Sequence, residues 1–179
     1  YWGAKFDVAA DGDATFERPG AFSQTVTAVD TFVDPVFPIY QSVADVTALV
    51  QQNGAGVYRV GGVGSWDFVD FDDVVQFAAW SLVVFYQLDS EPPRNLALFD
   101  GLDTVGDAAG QSIALSGFLV PPSAAFDGKL GVIAYEGDNQ GTGDQLSWDG
   151  NVLSNALNPP DNFFNGTRSF LGAPAFVAG

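Results

Sequence analysis

The sequence predicts an all-β fold, a β-sandwich or jelly roll of roughly nine short strands with one short helix. Three observations predict it. Short apolar runs are separated by turn residues, since 21 Gly and 10 Pro are spread along 179 residues. A single stretch has helical spacing. Hydrophobic residues make up 47% and charged residues 16% of the chain, which favours a folded core over disorder.

Short strands and turns make up the first part of the chain. Residues 14–16 and 24–29 are predicted strands, and Arg18-Pro19-Gly20 is the turn between them. Residues 30–38 contain two prolines, which favour an irregular segment or an edge strand because proline cannot donate to a sheet. Residues 56–60 are the next predicted strand, and a glycine-rich turn follows them.

The one helix is predicted over residues 42–52. Its valines and Leu49 recur at helical spacing. Ser42 is a suitable N-cap, and Asn53-Gly54 is a suitable stop because glycine readily adopts the left-handed conformation after a helix.

The most apolar stretch covers residues 74–88 and predicts a central strand buried on both faces. A turn at residues 89–93 then reverses the chain into a strand over 94–100. The sharpest local signal is Asp149-Gly150, a type I′ hairpin turn between strands over 145–148 and 151–154. The remaining predicted strands are 112–120, 129–135 and 163–170. No internal repeat or linker interrupts the chain, which predicts a single domain over residues 1–179.

The charge balance excludes several functions. The chain has 22 acidic and 6 basic residues and a net charge of −16, so neither nucleic acid nor an anionic membrane is an expected partner. No apolar run approaches the ~18 residues of a membrane span. The absence of Cys and His removes disulfides, thiol nucleophiles and imidazole bases, and no other residue set predicts an enzyme. The start at Tyr1, without a Met or a charged-then-apolar leader, indicates a processed or excerpted mature sequence, and we expect a secreted protein.

Acidic clusters on turning loops are candidate calcium sites, because calcium prefers several carboxylate and carbonyl oxygens. The candidate ligands are Glu136, Asp138 and Asp144; Asp100 and Asp103; Asp70, Asp72 and Asp73; and Asp11 and Asp13. None matches the EF-hand loop pattern. The alternatives are turn aspartates that accept hydrogen bonds from nearby amides, and a charged surface that keeps the protein soluble.

Aromatic residues and the two chain ends are the other candidate sites. Trp66, Phe71 and Trp148 could stack on sugars beside acidic loops, although aromatic residues in β proteins are usually core. The uncharged C-terminal segment could be donated to a neighbouring sheet, or could pair within its own. The candidate assembly residues are Tyr1, Trp2, Phe170, Leu171, Ala175, Phe176 and Val177.

Several short motifs occur together along nearly the whole chain. They are YWGA (1–4), ADVTALV (44–50), AWSLVV (79–84), RNLALFDG (94–101), AYEGD (134–138) with GD (143–144), LSNALNP (153–159) and NFFN (162–165). Their order and content resemble a region of large bacterial cell-surface proteins of isopeptide or conserved-repeat type. The resemblance implies an exported, surface-attached protein of structural or adhesive role, with no catalytic residues to carry over.

The resemblance also implies that the domain is incomplete by itself. In such proteins the first motif ends a longer strand, and further strands follow the last motif. This sequence would then be a fragment of a longer protein, or a subunit whose sandwich is closed by a neighbouring chain.

Two functions are therefore expected. The first is an extracellular structural protein, a subunit of a bacterial surface layer or filament, that associates with itself or with other cell-surface proteins through sheet edges and its apolar C-terminal segment. The alternative is a calcium-dependent adhesin or carbohydrate-binding module, with glycans as partners. Calcium is the one cofactor that the acidic loops suggest, and both functions could use it.

Overall fold

The computed structural model describes residues 1–7, 9–66, 76–105, 110–120, 122, 128–135, 137 and 139–175. Contacts divide the chain into two compact units, Tyr1–Gly128 and Lys129–Gly179. The described residues are mostly β, with eleven strands in four sheets and one short helix, which confirms the predicted all-β class. The single domain, the sandwich and the jelly roll stay predictions.

The first unit contains seven of the described strands and the helix. The strands are β1 Trp2–Lys5, β2 Asp13–Arg18, β3 Phe22–Thr27, β4 Asp30–Val33, β5 Ile39–Val43, β6 Arg59–Gly61 and β7 Ala78–Trp80. The helix, α1, covers Thr47–Asn53. Sheet A has the order β4-β5-β1-β7, and sheet B has the order β3-β2-β6. Every pairing in the two sheets is antiparallel.

Strand β1 lies in the middle of sheet A. Trp2 is opposite Ser42 of β5 on one side and opposite Trp80 of β7 on the other. Because side chains alternate between the faces of a strand, Trp2 and Ala4 share a face with Ser42 and Tyr40. These four side chains are buried, so this face of the sheet is its core face.

The core of the first unit contains residues from both sheets. Ala14 of sheet B belongs to one buried cluster with Trp2, Ala4 and Tyr40 of sheet A. A second group of aromatic rings lies against β2, the strand that contains Ala14. In this group Phe16 stacks on Tyr58, with ring centres 5.2 Å apart and planes 6° from parallel. Burial of Trp2, Phe16 and Tyr40 stabilises this unit through the hydrophobic effect.

The turn between β2 and β3 is the predicted one. The amide of Ala21 donates to the carbonyl of Arg18 at 2.9 Å, and Gly20 has a φ of 80°. A left-handed conformation at this position, directly after Pro19, is the pattern of a type II turn. The predicted edge character of residues 30–38 is also confirmed, because β4 is the outermost strand of sheet A.

The helix begins later than predicted. Ser42 belongs to β5, where it is buried and its Oγ lies 2.9 Å from the Oγ of Thr31 and 2.8 Å from the carbonyl oxygen of Asp11. Asp45 instead accepts a hydrogen bond from the amide of Thr47, the first helical residue. The predicted stop is correct, since Gly54 has a φ of 69° and its amide donates to the carbonyl of Val50. Helical spacing alone could not show that Val43 continues a strand.

The predicted central strand over residues 74–88 is wrong for the part that the structure describes. Only Ala78–Trp80 of residues 76–88 forms a strand, and this strand is at the edge of sheet A. Val84, Phe85 and Tyr86 are exposed. The predicted strands over 94–100, 112–120 and 129–135 are also absent from the described residues in those ranges. Apolar composition favours a strand, but a strand also needs a partner with unpaired backbone groups.

The second unit contains two small hairpins. They are formed by β8 Ser147–Trp148 with β9 Asn151–Val152, and by β10 Ser169–Phe170 with β11 Ala173–Pro174. Asp149 and Gly150 have φ values of 46° and 76°, which confirms the predicted type I′ turn. Leu171 and Gly172 have nearly the same values, 49° and 78°, and make the second hairpin turn, which the sequence did not predict. Among the described residues, no helix is long and apolar enough to cross a membrane.

Candidate functional site

Asp11, two residues before the start of β2, connects the core face of sheet A to the loop after β6. The carboxylate of Asp11 accepts hydrogen bonds from the amides of Gly64 at 2.8 Å and Asp13 at 3.0 Å. Its carbonyl accepts from Nε1 of Trp2 at 3.1 Å and from Oγ of Ser42 at 2.8 Å. Asp11, a candidate calcium ligand, therefore uses its oxygens to join three segments of the chain.

Tyr40 completes this connection from the opposite direction. Its hydroxyl donates a hydrogen bond to the carbonyl of Gly64 at 2.7 Å. The amide of the same residue, Gly64, donates to Asp11, so both backbone groups of Gly64 are bonded to this part of the protein. Burial, and secondly the negative charge of Asp11, raise the pKa of Tyr40 to about 12. The phenol is therefore held in its neutral, donating form at physiological pH.

Asp13, the second member of this predicted calcium pair, is engaged in the same way. Its carboxylate accepts a hydrogen bond from Oγ of Thr27 at 2.6 Å, directly opposite it on β3. The contacts of Asp11 and Asp13 are those expected of turn and cross-strand aspartates rather than of free ligands.

Among the acidic residues that the structure describes, none forms a three-membered cluster with Asp100 and Asp103. Oδ2 of Asp100 accepts a hydrogen bond from the hydroxyl of Tyr1 at 3.2 Å, and Asp103 is exposed. Within the described parts of the chain, no three acidic side chains come together as a possible metal site. Glu136, Asp138, Asp70, Asp72 and Asp73 lie outside the described residues, as do Phe71, Phe176 and Val177.

Asp34 is an engaged acidic residue that the sequence analysis missed. Its Oδ1 accepts hydrogen bonds from the amides of Val36 and Phe37, and its Oδ2 accepts one from Oγ of Thr104. These hydrogen bonds, with that from Thr104 first, lower the pKa of Asp34. The Asp-Pro dipeptide before a turn was the available signal, because aspartate often accepts from amides two or three residues later.

Asp144 is the described member of the strongest predicted calcium loop. Its Oδ1 accepts a hydrogen bond from the amide of Phe163 at 2.5 Å, and its backbone forms a parallel bridge with Asn162. The carboxylate also lies 3.3 Å from the amide nitrogen of Phe164. The carboxylate of Asp144 therefore holds the backbone amides of the NFFN motif in place.

Asparagine side chains organise the rest of this loop. The buried Asn158 donates to the carbonyl of Phe163 at 2.9 Å and accepts from Oγ of Ser169 at 2.9 Å. Asn165 donates to the carbonyl of Leu157 at 2.8 Å. Buried amides of this kind must be paired because an unpaired one is costly. The asparagines of the motifs between residues 153 and 165 therefore have a structural role, because their side chains hold the backbone of this loop.

The two described aromatic candidates are both exposed. Trp66 lies in the first unit, where Nζ of Lys5 is 5.1 Å from the centre of its ring and its amide donates to the carbonyl of Lys5. Trp148 lies on the β8–β9 hairpin of the second unit. A cation over the Trp66 ring occupies one face of the ring that could otherwise stack on a sugar.

The predicted assembly residues have different environments. Trp2 is buried in the core and therefore cannot contact another molecule, and Tyr1 is half-buried with its main-chain nitrogen donating to the carbonyl of Ser81. Phe170 and Leu171 are exposed at the tip of the β10–β11 hairpin. The exposed Ala175 donates its amide to the carbonyl of Arg168, so this part of the C-terminal segment pairs within the chain.

Of the strands that the structure describes in the first unit, β4 and β7 are the edges of sheet A, and β3 and β6 are the edges of sheet B. A cavity of about 190 Å³ lies between β6 and β7. Its lining residues are Val60, Gly61, Val63, Ala78, Ala79 and Trp80. Neither this cavity nor the exposure of the residues that follow β7 is predicted by the sequence.

Comparison of the chain with protein-family models, with curated proteins and with solved structures found no match. Among the described residues, many apolar side chains are exposed, and the two sheets of the first unit end in strands that have no further partner strand.

Proposed function

We propose that this protein is an extracellular structural protein, a subunit of a surface layer or filament on a bacterial cell. Copies of the chain would associate through sheet edges and exposed apolar segments. The observation that carries the proposal is the large set of exposed apolar side chains in both units. A soluble monomer rarely exposes contiguous apolar surface beyond a few hundred Å², and larger patches usually mark contacts with other proteins.

The sheet edges differ in how well they resist pairing. Strand β4 begins at Asp30 and is followed by Asp34-Pro35, and β6 carries Arg59, so charge and proline discourage additional strands there. Strands β3 and β7 contain no charged residue and no proline. An uncharged edge presents unpaired amides and carbonyls to another strand, and β3 and β7 are therefore the edges on which assembly would depend.

The C-terminal hairpin is a second contact. Phe170 and Leu171 extend from its tip, in a sequence without charge from Ser169 to the last residue. Because Ala173 and Pro174 pair with Phe170 and Ser169, this segment would offer its apolar tip to a neighbour instead of a free strand.

A sandwich is the proposed arrangement of the first unit. The shared cluster of Ala14 with Trp2 and Tyr40 supports it, since sheets that pack face to face bury residues from both inner faces. The jelly-roll connection remains a proposal of the same kind.

A glycan-binding module is the second candidate, and the exposed ring of Trp148 is the observation that favours it. Calcium belongs to either function as a proposed cofactor of the acidic loops. A fall in melting temperature on chelation at low salt would support calcium binding, and an unchanged melt would contradict it. A glycan array probed with and without calcium would test the binding module.

Negative-stain electron microscopy of the natively purified protein tests the structural proposal directly. Regular filaments or sheets are the expected result. Discrete particles of one chain, at every salt concentration and with calcium added, would contradict the proposal.

A further inference from the structure

We infer that residues 78–88, beginning with β7, form the contact through which a second copy of this chain adds a strand to sheet A. The inference rests on the proposed function and deepens it. It names a second copy of the chain as the partner of the β7 edge, and it predicts that the association strengthens with salt concentration.

The geometry of β7 suits strand addition. It is the last strand in the order β4-β5-β1-β7, its inner side pairs with β1, and no strand among the described residues pairs with its outer side. The cavity of about 190 Å³ beside it is walled by aliphatic residues, Trp80 and glycine. An added strand would gain backbone hydrogen bonds along the edge, and its alternate side chains could enter this cavity.

The exposed residues after β7 enlarge the contact. Trp80, Phe85 and Tyr86 are 42%, 55% and 75% exposed. With about 200 Å² for a fully exposed aromatic side chain, these three offer roughly 340 Å². A stable interface takes about 800 Å² from each partner, so three aromatic residues supply about two fifths of it. The exposed aliphatic residues Val84 and Leu88 add to this area.

Charge indicates that the occupant is an identical chain. Residues 74–88 contain no charged residue, although the whole chain carries a net charge of −16. Two copies that meet along this run bring no like charges into the contact itself. The run also consists largely of β-branched and aromatic residues without Gly or Pro, the composition of segments that pair with copies of themselves.

The residues that border the run make the association salt-dependent. Asp73 precedes it, and Asp89 and Glu91 follow it. Each copy also carries a net charge of −16, so its acidic residues, among them Asp89 and Glu91 directly after the run, repel those of a second copy. Acidic residues in these positions oppose association in the manner of gatekeepers, and their repulsion is screened when the Debye length becomes short.

Sedimentation velocity of the whole chain tests this inference with a matched pair of variants. Phe85→Asp places a charge inside the run, whereas Phe37→Asp places the same charge at a similarly exposed phenylalanine outside it, 50% against 55% exposed. Near-ultraviolet circular dichroism checks that both variants keep the fold. NaCl is varied from about 0.01 M to about 1 M, which shortens the Debye length from about 30 Å to about 3 Å.

The expected result is that association of the wild type and of Phe37→Asp strengthens with salt. Phe85→Asp is expected to weaken association about thirtyfold at high salt, the loss typical of an aromatic residue at the centre of an interface. Association of Phe85→Asp equal to that of the wild type would overturn the inference and leave the proposed function standing. A wild type that stays monomeric at every salt concentration would overturn both.

Discussion

Replacing Asp11 by alanine tests whether this residue is a structural acceptor or a calcium ligand. The substitution removes the acceptor of two amide hydrogen bonds, from Gly64 and Asp13, while leaving the carbonyl that Trp2 and Ser42 use. A hydrogen bond to a charged group contributes about 1.5–3 kcal/mol, and partial exposure of the carboxylate reduces this value. We expect the free energy of unfolding to fall by about 2 kcal/mol, which is roughly 4–8 °C in melting temperature.

Urea denaturation followed by tryptophan fluorescence measures this loss, because the buried Trp2 donates to the same loop. The control is Asp103→Ala, which removes the same charge from an exposed position. The loss for Asp11→Ala should be equal with calcium and with a chelator, because protein amides occupy the carboxylate. A loss that occurs only with calcium, or one below about 0.5 kcal/mol, would refute the structural role.

Two further predictions concern the same sheet. Spectrophotometric titration should find one tyrosine with a pKa of about 12, and Tyr40→Phe should abolish it. Because the folded-state pKa is raised, the contribution of Tyr40 to stability is complete below pH ~10 and is lost as the pH rises from ~10 to ~12; a stability that does not change over this interval would contradict the assignment. Gly3→Ala should destabilise the fold by about 2 kcal/mol or more, since an added Cβ would lie 2.5 Å from the carbonyl oxygen of Tyr40. Gly61→Ala, which meets nothing within 4 Å, is its control in thermal melts, and equal losses for the two would show that the close approach is not the cause.

Local features of the fold follow from the sequence because they depend on a few adjacent residues. Pro19-Gly20 determines the turn between β2 and β3, and Asp149-Gly150 determines the β8–β9 hairpin. Gly54 ends the helix at the expected residue. In each case the left-handed conformation selects glycine or aspartate, so the residue types identify the turn without any knowledge of distant contacts.

The candidate site depended on contacts that the sequence does not reveal. Trp2, Ser42 and Gly64 all bond to Asp11, although Ser42 lies 31 positions and Gly64 lies 53 positions from Asp11 in the chain. Spacing alone left two roles open for Asp11, that of a calcium ligand and that of a hydrogen-bond acceptor. The NFFN motif was similarly recognisable without indicating that the carboxylate of Asp144 holds its backbone.

What the sequence by itself determined is the all-β class, the short helix and the turns, since these follow from residue periodicity and local backbone preference. Only the tertiary structure decided that the N-terminal strand is central, that Ser42 is buried in a strand and that the apolar run after residue 76 begins at a sheet edge. The physical reason is that hydrophobicity measures how favourable burial would be. Which surface is buried depends on which backbone edge is available, and this is settled by strand pairing between residues far apart in the chain.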